Sequence, residues 1–218
     1  MEKGDANHVP FYGILYGISE KRGMKNMGKS HERDISTKQM LAEYAADLFR
    51  KKGFDNVGVR EIAAAAGVTT GSYYHHFKNK TDILNEIYNT SDQYLGTVLR
   101  EMADNNPQLS DLSGFFINTM VPIVEKDGKD FTLHRMFGMM RHSTEEHELY
   151  KGMIDVIRFL QIGHLLSNQC SAKEINRHLW LVFRGVLYEW AIADDGEDNS
   201  LKAIMNRHIP AALRAYYP

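Results

Sequence analysis

Residues 59–77, VREIAAAAGVTTGSYYHHF, constrain what this chain can fold into more than any other stretch. Two short helical segments, 59–66 and 70–77, flank a turn at Gly67-Val68. Small Ala63 falls where the two would cross, and Ile62, Ala66, Val68 and Tyr73 supply apolar interior for a tight corner. The turn needs a residue that tolerates positive φ, which Gly67 provides. The alanine run 63–66 needs no function, because small side chains simply let two helices approach. This is the spacing of a helix-turn-helix, whose second helix enters the major groove of DNA.

Bulk charge argues the other way until it is divided along the chain. The net charge is −2, yet residues 1–80 carry +4 and residues 81–218 carry −6. A basic head on an acidic body suits a DNA-binding domain carried by one that does not bind DNA. A chain of 218 residues can bury a sizeable core. A single cysteine, Cys170, excludes an internal disulfide framework and suits the reducing cytoplasm. No apolar run reaches the roughly 18 residues needed to span a bilayer, so no membrane partner is expected.

Three regions follow. Residues 1–33 hold five glycines and no helical period, and read as a flexible N-terminal extension. The apolar run 9–19 lacks the flanks of a signal peptide. A disordered extension, an upstream start ahead of Met24 or Met27, and an ordered arm all remain open. Residues 34–80 form the helix-turn-helix domain. Its first helix, 36–52, opens on a capping box at Ser36–Gln39 and ends at Gly53, with Met40, Leu41, Tyr44, Ala45, Leu48 and Phe49 on its buried face. Phe54 then folds back onto the core.

The third region, residues 81–218, contains only helical signals. Asn79 caps a long fourth helix with Asp82 at its third position, and Asn106-Pro107 stops it. Further helices are expected at 112–125, 131–141, 144–168 (broken near Gly152 or Gly163), 172–193 and 201–216. Ser143…Glu146 and Ser171…Glu174 are additional capping boxes. Pro210 removes a bond to the Asn206 carbonyl and should kink the last helix. No stretch alternates with period two for long enough to form a strand. The fold class is all-α, with an N-terminal three-helix helix-turn-helix DNA-binding domain joined to a helical body.

Over residues 35–85 the chain resembles the TetR family of one-component transcriptional regulators. The likeness rests on LAEYAADLFRKKGFDNVGVREIAAAAGVTTGSYYHHFKNKTDIL, especially Gly53-Phe54, Ile62-Ala63…Ala66-Gly67-Val68 and Tyr74-His75-His76-Phe77-Lys78…Lys80. Lys, Arg and backbone amides suit phosphate oxygens and set register without reading sequence. Arg60, His75, Lys78 and Lys80 are placed for that role, with Tyr74 adding a hydroxyl. Thr69, Thr70, Ser72 and Tyr73 would meet base edges, where hydroxyls pair with several bases and methyls touch thymine. Gly71 would let the helix approach closely. Two departures matter: Val57-Gly58 stands where the family commonly has Thr-Ser, and Thr70 where Lys or Arg is common. The first removes a capping hydroxyl and the second a candidate guanine contact.

The body is rich in aromatic and sulfur side chains, which can form an adaptable cavity for greasy molecules. The resemblance implies that the body, residues 81–218, is a helical ligand-binding and dimerisation domain that senses a small molecule. Phe116, Met120, His134, Phe137, Met140, Met153, Trp180 and Phe183 are the expected lining, with Arg135, Arg141 and His142 as further polar groups that could orient a ligand. The last two helices carry apolar stripes that could meet across a two-fold axis as a four-helix bundle. Leu179, Val182, Val186, Leu187, Trp190, Ile204, Ile209 and Leu213 are the expected interface of the homodimer that the resemblance implies.

Metal ligation is not expected. His75-His76 point apart on a helix, His142 and His147 are five apart, and there is no Cys-x-x-Cys. The acidic loop at 194–198 lacks calcium-loop register. No nucleophile elbow, P-loop or dinucleotide fingerprint points to an enzyme or cofactor. The expected function is a DNA-binding regulator, a repressor that binds an inverted repeat of double-stranded DNA and is released by an unidentified small-molecule effector. The alternative is a protein-interaction module that keeps the fold but acts through a partner protein; the two departures and the low overall charge are its support.

Overall fold

The protein is seen in a computed structural model that describes residues 29–139, 147–194 and 196–218, with side chains from residue 37 onward except at 135, 137–139 and 197. All of the extension before residue 29 and the Ser143…Glu146 cap lie outside the described residues. The described regular elements are helical: α1 (Lys29–Lys52), α2 (Val59–Ala65), α3 (Thr70–His76), α4 (Lys80–Asp104) and α5 (Leu109–Gly114). A π-helical segment, Phe115–Met120, leads into α6 (Val121–Met139), followed by α7 (Glu148–Ile162), α8 (Ala172–Ile192), a 3₁₀ turn (Glu197–Asn199) and α9 (Leu201–Arg214).

Two compact units divide after Ser91, inside α4, eleven residues beyond the boundary the sequence suggests. The cause is the first part of α4, where Ile83, Leu84 and Ile87 are buried and therefore belong to the head. Nor does α1 begin at Ser36. It starts at Lys29, so residues 36–39 are helix interior and cannot cap. Nothing between residues 29 and 52 is a proline or glycine that would stop it. Its buried side is Leu41, Ala42, Ala45, Ala46 and Phe49, while Tyr44 is exposed. Alanines, rather than the tyrosine, let α1 approach its neighbours.

In the body, Gly128 at φ 78° breaks α6 where the sequence leaves a gap between two helices. α7 runs through Gly152 and ends at Gly163. Ser171 and Glu174 form the expected capping box on α8. α9 is one helix through Pro210, without the break that a missing donor permits. Close approach of α4 and α7 depends on two glycines. A Cβ on Gly96 would lie 2.6 Å from the Glu148 carbonyl carbon, and one on Gly152 would lie 2.9 Å from Leu99 Cβ.

Candidate functional site

The head is organised by the turn between α2 and α3. Gly67 has φ +67°, and its amide donates to the Ala64 carbonyl while that of Val68 donates to Ala63. This paired closure satisfies the last carbonyls of α2 and turns the chain sharply. Ile62, Ala63, Ala66 and Tyr73 are buried in the corner, as their spacing requires. Thr69 then caps α3, its Oγ1 accepting from the Ser72 amide at 3.1 Å. The cap position of α2 is Gly58, whose lack of a side chain leaves that end without a side-chain hydrogen bond.

These constraints decide which predicted residues face outward. Arg60, Thr69, Thr70, Gly71, Tyr74, His75 and Lys78 are exposed and Ser72 is half-buried. They occupy the beginning and outer side of α3 and the flank of α2. A Cβ on Gly71 would meet only Thr69 Oγ1, at 3.6 Å, an ordinary contact. The interior of the protein therefore does not require glycine at that position.

Two predicted contacts are redirected inward. Tyr73 is fully buried, and its hydroxyl donates to the Asn79 carbonyl at 3.0 Å. Burial first, then the neighbouring Tyr74 and Asp82, push its pKa up to about 12. Its place one turn after the Thr69 cap points it into the corner, away from base edges. Lys80 is also engaged: Nζ donates to the Phe54 carbonyl at 2.6 Å and stands 4.2 Å from the centre of the Phe54 ring. The ring in turn lies 4.9 Å from that of Phe49, so Lys80 clasps the α1–α2 loop to the core. Lys38, inside the expected Ser36–Gln39 capping box, instead pairs with Glu86 at 2.7 Å.

The expected ligand lining in the body is mostly interior. Phe116, Met120, Met153, Trp180 and Phe183 are buried. The Phe116, Trp180 and Phe183 rings touch one another, with centroids 5.3–5.5 Å apart. They are a filled aromatic cluster rather than the walls of an open pocket. His134 is half-buried, its Nε2 3.9 Å from Asp130 one turn earlier. The side chains of Arg135 and Phe137, and all of Met140, Arg141 and His142, lie outside the described residues. A groove of about 490 Å³ instead lies between the second half of α4 and the α5–π segment, with Val98, Met102, Pro107, Phe115 and Asn118 among its walls.

The proposed interface also needs correction. Leu179, Val186, Leu187, Ile204, Ile209 and Leu213 are buried within the single chain, while Val182 and Trp190 are half-buried. The outer face of α8 presents Leu181, Tyr188 and Ile192, which are 56%, 57% and 64% exposed. With Gly185 they repeat at intervals of four, three and four residues, the spacing of a helix seam. That signal was legible in the sequence but hidden by the apolar residues on the opposite side. Among the described residues, no helix is long and apolar enough to cross a membrane, and no group of three His, Cys, Asp or Glu is placed to hold a metal.

Comparison with known proteins agrees with the head. Residues 41–87 match the family described as bacterial regulatory proteins, tetR family. The HTH-type transcriptional regulator AcrR of Shigella flexneri is 31% identical over 111 residues, covering 50% of this chain and 52% of that protein. The chain thus matches about half the length of AcrR. The transposon Tn10 TetC protein of Escherichia coli is 28% identical over 178 residues, covering 70% of this chain and 88% of that one. Among solved structures, SmeT of Stenotrophomonas maltophilia in complex with triclosan superposes with a TM-score of 0.63 at 21% identity, over 84% of this chain and 92% of that chain.

Proposed function

The chain belongs to the TetR family of transcriptional regulators, and from that premise we propose that it is a dimeric repressor released from DNA by a small molecule. It binds an inverted repeat in the cytoplasm through Arg60, Thr69, Thr70, Gly71, Ser72, Tyr74, His75 and Lys78 of each head. The observation that carries this reading is the division of α3. Tyr73 anchors one side in the core, leaving Thr69, Thr70, Gly71 and Tyr74 exposed on the other. Hydroxyls and a side-chain-free position at the start of a recognition helix suit base edges, while Arg60, His75 and Lys78 suit phosphates.

Two heads of one dimer reach successive major grooves about 34–36 Å apart. The α8 seam at Leu181, Gly185, Tyr188 and Ile192 meets its copy across the two-fold axis. A hydrophobic or amphipathic effector binds in the helical body and favours the conformation with lower DNA affinity. Linkage then requires DNA to weaken effector binding by the same factor. Support for ligand control comes from the SmeT complex, a protein of similar fold solved with triclosan.

Footprinting on the DNA upstream of its own gene, at two salt concentrations, tests this function. A protected inverted repeat that weakens steeply as salt rises is the expected outcome. Protection of a single half-site would remove the dimeric reading. Absence of protection at low salt, across a library of random duplexes as well, would remove DNA binding itself.

A further inference from the structure

One ridge of α8 carries polar groups that the described residues do not satisfy. Asn176, Trp180 and Arg184 follow one another at four-residue intervals, so their side chains are neighbours along the helix. Asn176 is fully buried; its Nδ2 donates to the Tyr150 carbonyl at 3.2 Å, while its Oδ1 has no partner among the described residues. Trp180 is only 9% exposed, and its indole Nε1–H is likewise unpartnered among the described residues. Arg184 is half-buried and, among the described residues, has no carboxylate beside it. Burial lowers its pKa, with Tyr150 as the neighbouring titratable group.

Such groups are costly to leave unmet. A buried donor without an acceptor forfeits its hydration, and a desolvated guanidinium forfeits more. Native interiors pair the great majority of these groups, so several on one ridge call for an absent partner. Indole N–H and guanidinium both donate only, and both therefore call for an acceptor. The adjoining Phe116 and Phe183 rings, in contact with Trp180, are buried and make the surroundings of these groups apolar.

We infer that the body binds an anionic amphipathic molecule, its acidic group accepting from Trp180 Nε1 and Arg184. This rests on the reading of the body as an effector domain and names the chemical class of the effector. Asn176 Oδ1 adds an acceptor, which suits a ligand carrying a hydroxyl next to its acid. A neutral molecule of equal apolar size would leave Arg184 desolvated and unpaired.

Two fluorescent probes separate charge from greasiness. 1-Anilinonaphthalene-8-sulfonate and N-phenyl-1-naphthylamine share one ring system and differ by the sulfonate. Binding of each to the full-length protein is measured for wild type, Arg184→Met, Arg184→Lys and Trp180→Phe, with circular dichroism as the check on folding. The wild type is expected to prefer the sulfonate by about ten- to hundredfold, the worth of a charge-assisted hydrogen bond. Arg184→Met should bring that ratio close to one with the neutral probe unaffected. Arg184→Lys should restore part of the preference, and Trp180→Phe should reduce it. Equal affinities in wild type, no sulfonate binding, or a preference that survives Arg184→Met would each overturn the inference. Footprinting of the same proteins keeps the two readings apart: intact protection without sulfonate preference removes only the ligand class, and the reverse result removes only the DNA-binding function.

Discussion

The Tyr73 hydroxyl donates to the Asn79 carbonyl across 3.0 Å, tying the recognition helix α3 to the residue that caps α4. Asn79 Oδ1 accepts from the Asp82 amide at 2.9 Å, so a single residue fixes both the start of α4 and the far side of α3. Tyr73→Phe keeps the buried ring and removes only this bond. We expect a loss of about 0.5–1.5 kcal/mol in stability. Thermal melts of the two proteins, read with their DNA affinities, check it. Unchanged stability would mean that ring packing alone holds α3.

The same hydroxyl gives an alkaline signature. Folding raises the Tyr73 pKa from 10.0 to about 12, so the folded state favours the neutral phenol. Its contribution is complete below pH 10.0, declines as pH rises from there to about 12, and is lost above. Denaturant melts across that window should show wild type losing stability faster than Tyr73→Phe. Parallel pH curves would contradict the link between this group and the stability of the head.

Gly71→Ala separates the needs of the fold from those of the interface. The added methyl meets nothing closer than 3.6 Å inside the protein. Alanine also favours helix over glycine by about 0.5–1 kcal/mol, so the variant should be as stable as wild type or more so. DNA affinity should nonetheless fall about tenfold or more, because the methyl occupies space between α3 and the base edges. Retained affinity would show that the helix does not come close to DNA at this point.

The head was legible because its constraints are local. Gly67, the buried Ile62 and Ala63, and the Thr69–Thr70 start all follow from turn chemistry and helical spacing within nineteen residues. Tyr73 shows the limit of that logic, since one position was assigned both to the core and to the bases. Only geometry settles that conflict, by aiming its hydroxyl at Asn79. Lys80 was misread for a related reason: its partners at Phe54 and Asp55 lie 26 and 25 residues away, beyond any local pattern.

The body was legible as helices but not as a site. Phe116, Trp180 and Phe183 have the composition of a pocket, yet composition cannot tell rings that touch each other from rings that wait for a ligand. Nor does periodicity say which of two apolar faces on α8 the chain covers by itself. Leu179 and Val186 went inward, and Leu181 and Tyr188 stayed out.

Gly96→Ala should be destabilising, in contrast to Gly71→Ala. Its Cβ would collide with the Glu148 backbone at 2.6 Å, where no side-chain rotation can relieve the contact. α7 is held there by Asp92, whose carboxylate accepts from the Glu148 amide at 2.8 Å and the Leu149 amide at 3.3 Å. Forcing the helices apart therefore strains these bonds as well, and a cost of about 1–3 kcal/mol follows. A thermal melt that matched wild type would show that α4 and α7 can separate freely.

Tyr188→Glu tests the α8 seam. Tyr188 is 57% exposed between Leu181 and Ile192, so the single chain loses little by the exchange. In a two-fold pairing of α8 with its copy, the residue faces an equivalent surface. Two carboxylates would then approach each other in an apolar contact, and burying unpaired charge is strongly unfavourable. Sedimentation should shift from dimer to monomer with the helical circular dichroism preserved, and protection of an inverted repeat should fall with it. Arg184→Met serves as the comparison, because it alters the neighbouring edge of α8 without placing charge on the seam. A Tyr188→Glu protein that still sedimented as a dimer would place the interface on another face, and α9 would be the next element to test by the same substitution logic.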